Sequence, residues 1–205
     1  MLEILGVLLT VLGKFIFMDY LNRKLPFTCI AILAWTGYVI YRSKTNPGIM
    51  KYWGFRTDNF KAALRLVLPF GFVSVVLFIA IGIYQGTIHL TWHIIPLLIL
   101  YPVWGTIQQF LLIALTAGNL HNFQKPLPKA VIVILCAALF GLIHYPYLWL
   151  MLGTFVLAIC YGLIYLRQKN LYVLGLFHGW LGALFFYTVV DRDPFLETFG
   201  RFLNM

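Results

Sequence analysis

Several stretches of about 20 residues carry at most one charge each, and that feature decides the fold class. A run of that length crosses a bilayer core of about 30 Å as a helix. These runs are apolar all round, whereas spanning strands of a barrel would alternate polar and apolar residues. Inside lipid a helix bonds all its backbone groups internally, so the runs are helices. Composition agrees: 62% of the 205 residues are hydrophobic and 10% charged, against about 25% charged in soluble domains. The expectation is an all-α, polytopic transmembrane bundle and a single integral membrane domain over residues 1–205. Seven spans are read at roughly 2–18, 26–42, 64–84, 93–118, 128–146, 148–166 and 171–190. Residues 2–18 lack a basic leader and a small-residue cleavage site, so the first span is expected to be kept as an anchor.

The net charge of +9 does not point to nucleic acid, because the basic residues form no domain. They lie at the ends of apolar runs, where they meet lipid headgroups and set topology. The connection from Arg42 to Arg65 holds six cations against one acid, Asp58. Its middle, Met50 to Arg56, mixes aromatic and cationic residues as an interfacial segment does. Lys125 with Lys129 and Arg167 with Lys169 make two further basic connections, while the connections around 85–92 and 146–148 have no Lys or Arg. The positive-inside rule then places the basic connections in the cytoplasm of an inner or plasma membrane, with the N-terminus cytoplasmic and the C-terminus outside. Arg23 and Lys24 fall on the outer side in that scheme.

Polar residues within spans are costly and mark candidate chemistry. The fourth span carries Gln108 and Gln109, the fifth His144 and the seventh His178. Each has a plainer use: glutamines join helices by hydrogen bonds, and a lone histidine can bond a carbonyl or hydroxyl. Cys29, Cys136 and Cys160 have no disulfide or metal spacing and read as small packing residues. His89 and His93, four apart beside Trp92, read as interfacial rather than metal-binding, and His121 as solvated.

The order of these residues carries more than each alone. Phe140-Gly141-Leu142-Ile143-His144, then His178, with Gly153-Thr154-Phe155 and Tyr161-Gly162-Leu163 between them, resembles the core of the CPBP family. That family comprises intramembrane proteases related to the CAAX-prenyl endopeptidases, with the pattern Glu-Glu-x-x-x-Arg, Phe-x-x-x-His and His-x-x-x-Asn on successive helices. The similarity runs over 104–182 here, with Trp53-Gly54-Phe55-Arg56 a weaker match upstream. It implies a site at Gln108, Gln109, His144 and His178. It also implies a membrane-anchored protein or lipidated peptide as substrate. In the family a glutamate and the second-motif histidine activate water, and the third-motif histidine and asparagine stabilise the oxyanion.

The departures bear on activity. Glutamine stands at both glutamate positions, Ile113 at the arginine and Gly182 at the asparagine. A neutral amide cannot serve as a general base, and glycine offers no side-chain donor to an oxyanion. No Asp or Glu occurs between 59 and 190, so Asp191 or Asp193 is the nearest carboxylate that could fold back. His144 could act as base alone, with Gln108 orienting water. Three readings follow: a glutamine-bearing peptidase, a non-catalytic scaffold or binding subunit, and a lipid- or pigment-binding membrane protein. The scaffold reading has a precedent in the superfamily, in a subunit of the γ-secretase complex. The residues specify no cofactor or metal, since two imidazoles and two amides are a poor ligand set for zinc. Depth poses a difficulty: His144 lies about sixteen residues from the basic end of its span and His178 about seven, so a shared site needs a strong tilt or a late start of the fifth helix.

Overall fold

The computed structural model describes residues 2–125 and 127–203. Nine helices are found among them. In chain order they are α1 (Leu2–Gly13), α2 (Lys24–Thr45), α3 (Ile49–Trp53), α4 (Phe60–Gln85), α5 (Ile94–His121), α6 (Lys129–Ile143), α7 (Leu148–Arg167), α8 (Leu171–Val190) and α9 (Pro194–Leu203). Each of the seven apolar runs coincides with one of these. Five of them, α2, α4, α5, α7 and α8, are long and apolar enough to cross a membrane. Their outer faces are apolar too: Leu33, Phe72, Ile83 and Val103 are all more than 60% exposed. In water such a surface would aggregate; in lipid it is the solvated face.

The remaining two runs are shorter. α1 has 12 residues and continues as a wider-wound turn over Lys14–Tyr20. α6 has 15 residues, so at about 1.5 Å per residue it reaches about 22 Å and stops inside a bilayer core of about 30 Å. His144, just past its end, lies as far along the helix as the sequence predicts and still shares a cavity with His178.

α5 and α8 form the most intimate helix pair, because glycines remove the side chains between them. A Cβ on Gly179 would lie 2.3 Å from the Pro102 nitrogen, and one on Gly175 2.6 Å from the Thr106 Cα. Small residues at a helix crossing let backbones meet, and dispersion then holds the pair in lipid. Immediately after Gln109, α5 widens to a π-helical winding over Phe110–Ala117. Seven of those eight residues are buried in the bundle core, Ile113 completely. Inserted turns of this kind often adjoin functional sites, since they re-aim the residues beside them.

The Trp53–Arg56 segment docks on the start of α8. Gly54 sits at φ +98, a conformation natural to glycine, and a Cβ there would press on the Lys169–Asn170 backbone at 3.2–3.3 Å. Its carbonyl accepts from the Leu171 amide at 2.8 Å, and the Trp53 carbonyl accepts from the Tyr165 hydroxyl at 2.9 Å. Fully buried Asn170 ties the junction. Its Oδ1 accepts from the Val173 amide at 3.0 Å, and its Nδ2 donates to the Arg56 carbonyl and to Asn59 Oδ1, each at 2.8 Å. The middle of the 42–65 connection is therefore a docked part of the bundle, with Trp53 buried rather than spread on the membrane surface. Asn170→Ala removes a helix cap and leaves the Arg56 carbonyl unpaired, which costs about 2 kcal/mol. A clear drop in the melting temperature of the purified protein in detergent is the expected outcome.

At the other end, α9 is held by Asp193. This residue accepts from the Phe195 and Leu196 amides and from the Tyr187 hydroxyl, and pairs with His93 Nδ1 at 2.6 Å. Burial alone would raise the Asp193 pKa, but the hydrogen bonds from His93, Leu196 and Tyr187 outweigh it and hold the carboxyl below its usual 3.8. A depressed folded-state pKa gives stability that is full above the unfolded value and lost as pH falls through the folded one. Acidification below about pH 4 should therefore loosen α9. The measure is amide exchange of 194–200, corrected for intrinsic rate; in Asp193→Asn the segment should be loose at every pH.

Candidate functional site

α5, α6, α7 and α8 bring Gln108, His144 and His178 to the walls of one cavity of about 180 Å³, together with Trp104, Thr154 and Gly182. Gln109 does not line it. That side chain is fully buried behind His178, with its Nε2 2.6 Å from His178 Nδ1. Phe140, the first residue of the Phe-x-x-x-His motif, packs between the two imidazoles, with ring centroids 5.1 Å from His144 and 5.5 Å from His178. All three site elements thus touch, directly or through Phe140.

At His144 a hydrogen bond fixes which ring nitrogen carries the proton. His144 Nδ1 lies 2.8 Å from the Phe140 carbonyl oxygen, four residues back at the end of α6. A carbonyl only accepts, so Nδ1 donates and the lone pair is left on Nε2. The same bond caps a helix end that lipid could not satisfy. Thr154 Oγ1, 3.3 Å from His144 Nδ1, donates to the Leu150 carbonyl at 2.7 Å and braces the ring from α7. Neutral His144 therefore presents an acceptor at Nε2. At His178 the side-chain amide of Gln109 lies 2.6 Å from Nδ1, a hydrogen bond that either tautomer of the ring can make. Gln109 Oε1 is buried without a partner among the described residues.

No carboxylate lines the cavity among the described residues. Asp191 and Asp193 are occupied elsewhere: Asp191 pairs with His89 at 2.8 Å and Asp193 with His93. His89 and His93 thus contact the two carboxylates at the α8–α9 corner. Among the described residues no group of three or more His, Cys, Asp or Glu side chains could hold a metal ion. His121, read as solvated, is half-buried at the end of α5. All three cysteines are free thiols.

A second, larger space of about 560 Å³ shares Tyr101, Trp104, Gln108, His144, Leu150 and Phe186 with the cavity and runs from it between α1, α2, α5 and α9. Its walls are mostly apolar, with Lys14, Asp19, Lys24, Arg192 and Glu197 among its few charged residues. The sequence reading missed this groove and the bracing role of Thr154. A hydroxyl two turns into an apolar span was the available signal for the latter.

The chain is a helical membrane protein with a histidine-lined cavity, and residues 92–184 match the family model Rce1-like, described as type II CAAX prenyl endopeptidase Rce1-like. The matched segment includes Gln108, Gln109, His144, His178 and Gly182, so the resemblance read from the motifs is borne out. No curated protein and no solved structure matches the chain.

The glycine pairing gives a direct test of how the site is held. Gly179→Ala drives a methyl into the Tyr101–Pro102 backbone and should cost about 1–3 kcal/mol while parting Gln109 from His178. Gly182→Ala, whose Cβ meets nothing nearer than 4.0 Å, should be neutral. Thermal unfolding of the two variants, side by side in one detergent, is the measurement.

Proposed function

We propose that this chain is a CPBP-type intramembrane peptidase homologue in which glutamate-dependent water activation has been lost while the cavity is kept. The observation that carries the reading is the Gln109–His178 bond at 2.6 Å beside a cavity without a carboxylate. A glutamate at 109 could only accept, which would hold the proton on His178 Nδ1 and leave a basic Nε2. Glutamine holds His178 in place but, being a neutral amide, cannot take a proton from water as a glutamate would. His144, with its Nε2 lone pair, is fit to be a base. Gln108, on the cavity wall, can orient water or a substrate amide. Any residual hydrolysis would run through His144 alone, on a membrane-anchored protein or lipidated peptide.

The basic connections favour an inner or plasma membrane with the Arg42–Arg65 face in the cytoplasm. A second reading, a non-catalytic subunit that holds a partner or a lipid, is favoured by the apolar groove leading to the cavity.

The deciding experiment compares membrane-protein termini in cells carrying the native chain, His144→Ala, or Gln108→Glu with Gln109→Glu. Unchanged termini between native and His144→Ala, and new cleavage products with the double glutamate, are expected. Products that already depend on His144 in the native chain would make it a working peptidase.

A further inference from the structure

The end of the bundle that carries Arg42–Arg65 is unbalanced in charge, and part of the imbalance gathers around one tyrosine. Three cations there have acidic partners: Arg42 pairs with Glu3, and Lys51 and Arg56 with Asp58. Lys125, Lys129, Arg167 and Lys169 have no carboxylate partner among the described residues. The other acids, Asp19, Asp191, Asp193 and Glu197, lie at the opposite end, where each contacts a lysine, arginine or histidine. Tyr52, on α3, links two of the uncompensated cations. Lys169 Nζ lies 4.3 Å over its ring. Its hydroxyl accepts from Asn122 Nδ2 at 2.8 Å, three residues before Lys125. A ring face attracts an ammonium but leaves it with N–H donors to spend. Lys169 is half-buried, and that burial lowers its pKa from the usual 10.5. An anion beside it would reverse the shift.

Apolar surface is interleaved with these cations. Phe123 is 49% exposed two residues before Lys125, and Tyr52 is 41% exposed. Inorganic phosphate or an acidic peptide would use the ammonium groups and leave this surface idle. A molecule with an anionic head and acyl chains uses both, and the rim of a transmembrane bundle is where its head lies. We infer that Tyr52, Phe123, Lys125 and Lys169 form a binding site for one anionic glycerophospholipid, its phosphate on the two lysines and its acyl chains against Phe123. A lipid held there touches α3, the end of α5 and the turn between α7 and α8 together. It therefore clamps the docked Trp53–Arg56 segment from outside, adding to the Asn170 bonds beneath. Lys129 begins α6 and His144 follows its other end, so the site is a helix length from the imidazoles. It does not depend on whether this chain cuts anything.

The test is lipid titration of the purified full chain in a neutral detergent, read as bound adducts by native mass spectrometry and as melting temperature. The probes are dioleoyl phosphatidylglycerol and dioleoyl phosphatidylcholine, which share a phosphodiester and acyl chains but differ in net charge. The first phosphatidylglycerol should bind about tenfold more tightly than phosphatidylcholine and raise the melting temperature. Lys169→Gln should weaken phosphatidylglycerol about fivefold, the worth of one cation at a lipid surface, and leave phosphatidylcholine unmoved. Lys125→Gln, in an exposed connection, should do the same and serves if Lys169→Gln fails to fold. Arg23→Gln, which removes an exposed charge at the opposite end, should change neither affinity. Equal affinity for the two lipids, a preference that survives both lysine variants, or an equal loss in Arg23→Gln overturns the site. Displacement of the lipid by millimolar inorganic phosphate, or by a glutamate-rich peptide, overturns the lipid as its occupant.

Discussion

The close approach of α5 and α8 is the contact on which the site depends. Association in lipid gains nothing from excluding water, since the solvent is as apolar as the side chains. What remains is short-range packing, and Gly105, Gly175 and Gly179 bring two backbones near enough for it to count. Gly105 matches the others, with a Cβ there reaching 2.8 Å from the Gly175 carbonyl oxygen. The crossing fixes the register between the helices, and the register sets Gln109 against His178. The second imidazole is then located by Phe140, which fills the space between the rings. One backbone contact thus positions two polar side chains that lipid would otherwise penalise.

The polar chemistry is assembled with few spare groups. His144 uses one nitrogen to cap α6 and exposes the other, so structural and chemical duties share a ring. The charged residues avoid this region. Glu3 accepts from Tyr38, Arg42 and Asn119 near one end of the bundle, and the pairs around Asp191, Asp193 and Glu197 gather at the other. A buried charge without a partner would be far more costly than an amide, and the amides of Gln108 and Gln109 avoid that cost.

Much of this was legible in the sequence. The spans follow from hydropathy because lipid admits only internally bonded backbone. The four polar residues of the site stood out for the same reason, as did the departures at Ile113 and Gly182. Three features were not legible. The stop of α6 at Ile143 has no breaker before Pro146, and the backbone ends there because the His144 ring satisfies it. The docking of Trp53–Arg56 onto Asn170 depends on partners more than 100 residues apart. The groove is a space between helices, and no local pattern encodes a space. Asp191 and Asp193 show the limit from the other side: proximity in sequence to the last span suggested a reach into the cavity, and two histidines at the start of α5 hold them at the corner instead.

The short α6 has a consequence for the membrane itself. At 15 residues it is shorter than a bilayer core, and the corner that follows at 144–147 carries an imidazole and two tyrosine hydroxyls. Acyl chains pack badly around such a group, and the bilayer relieves the mismatch by becoming locally thinner on that side. A helix of that length matches a thin bilayer better than a thick one.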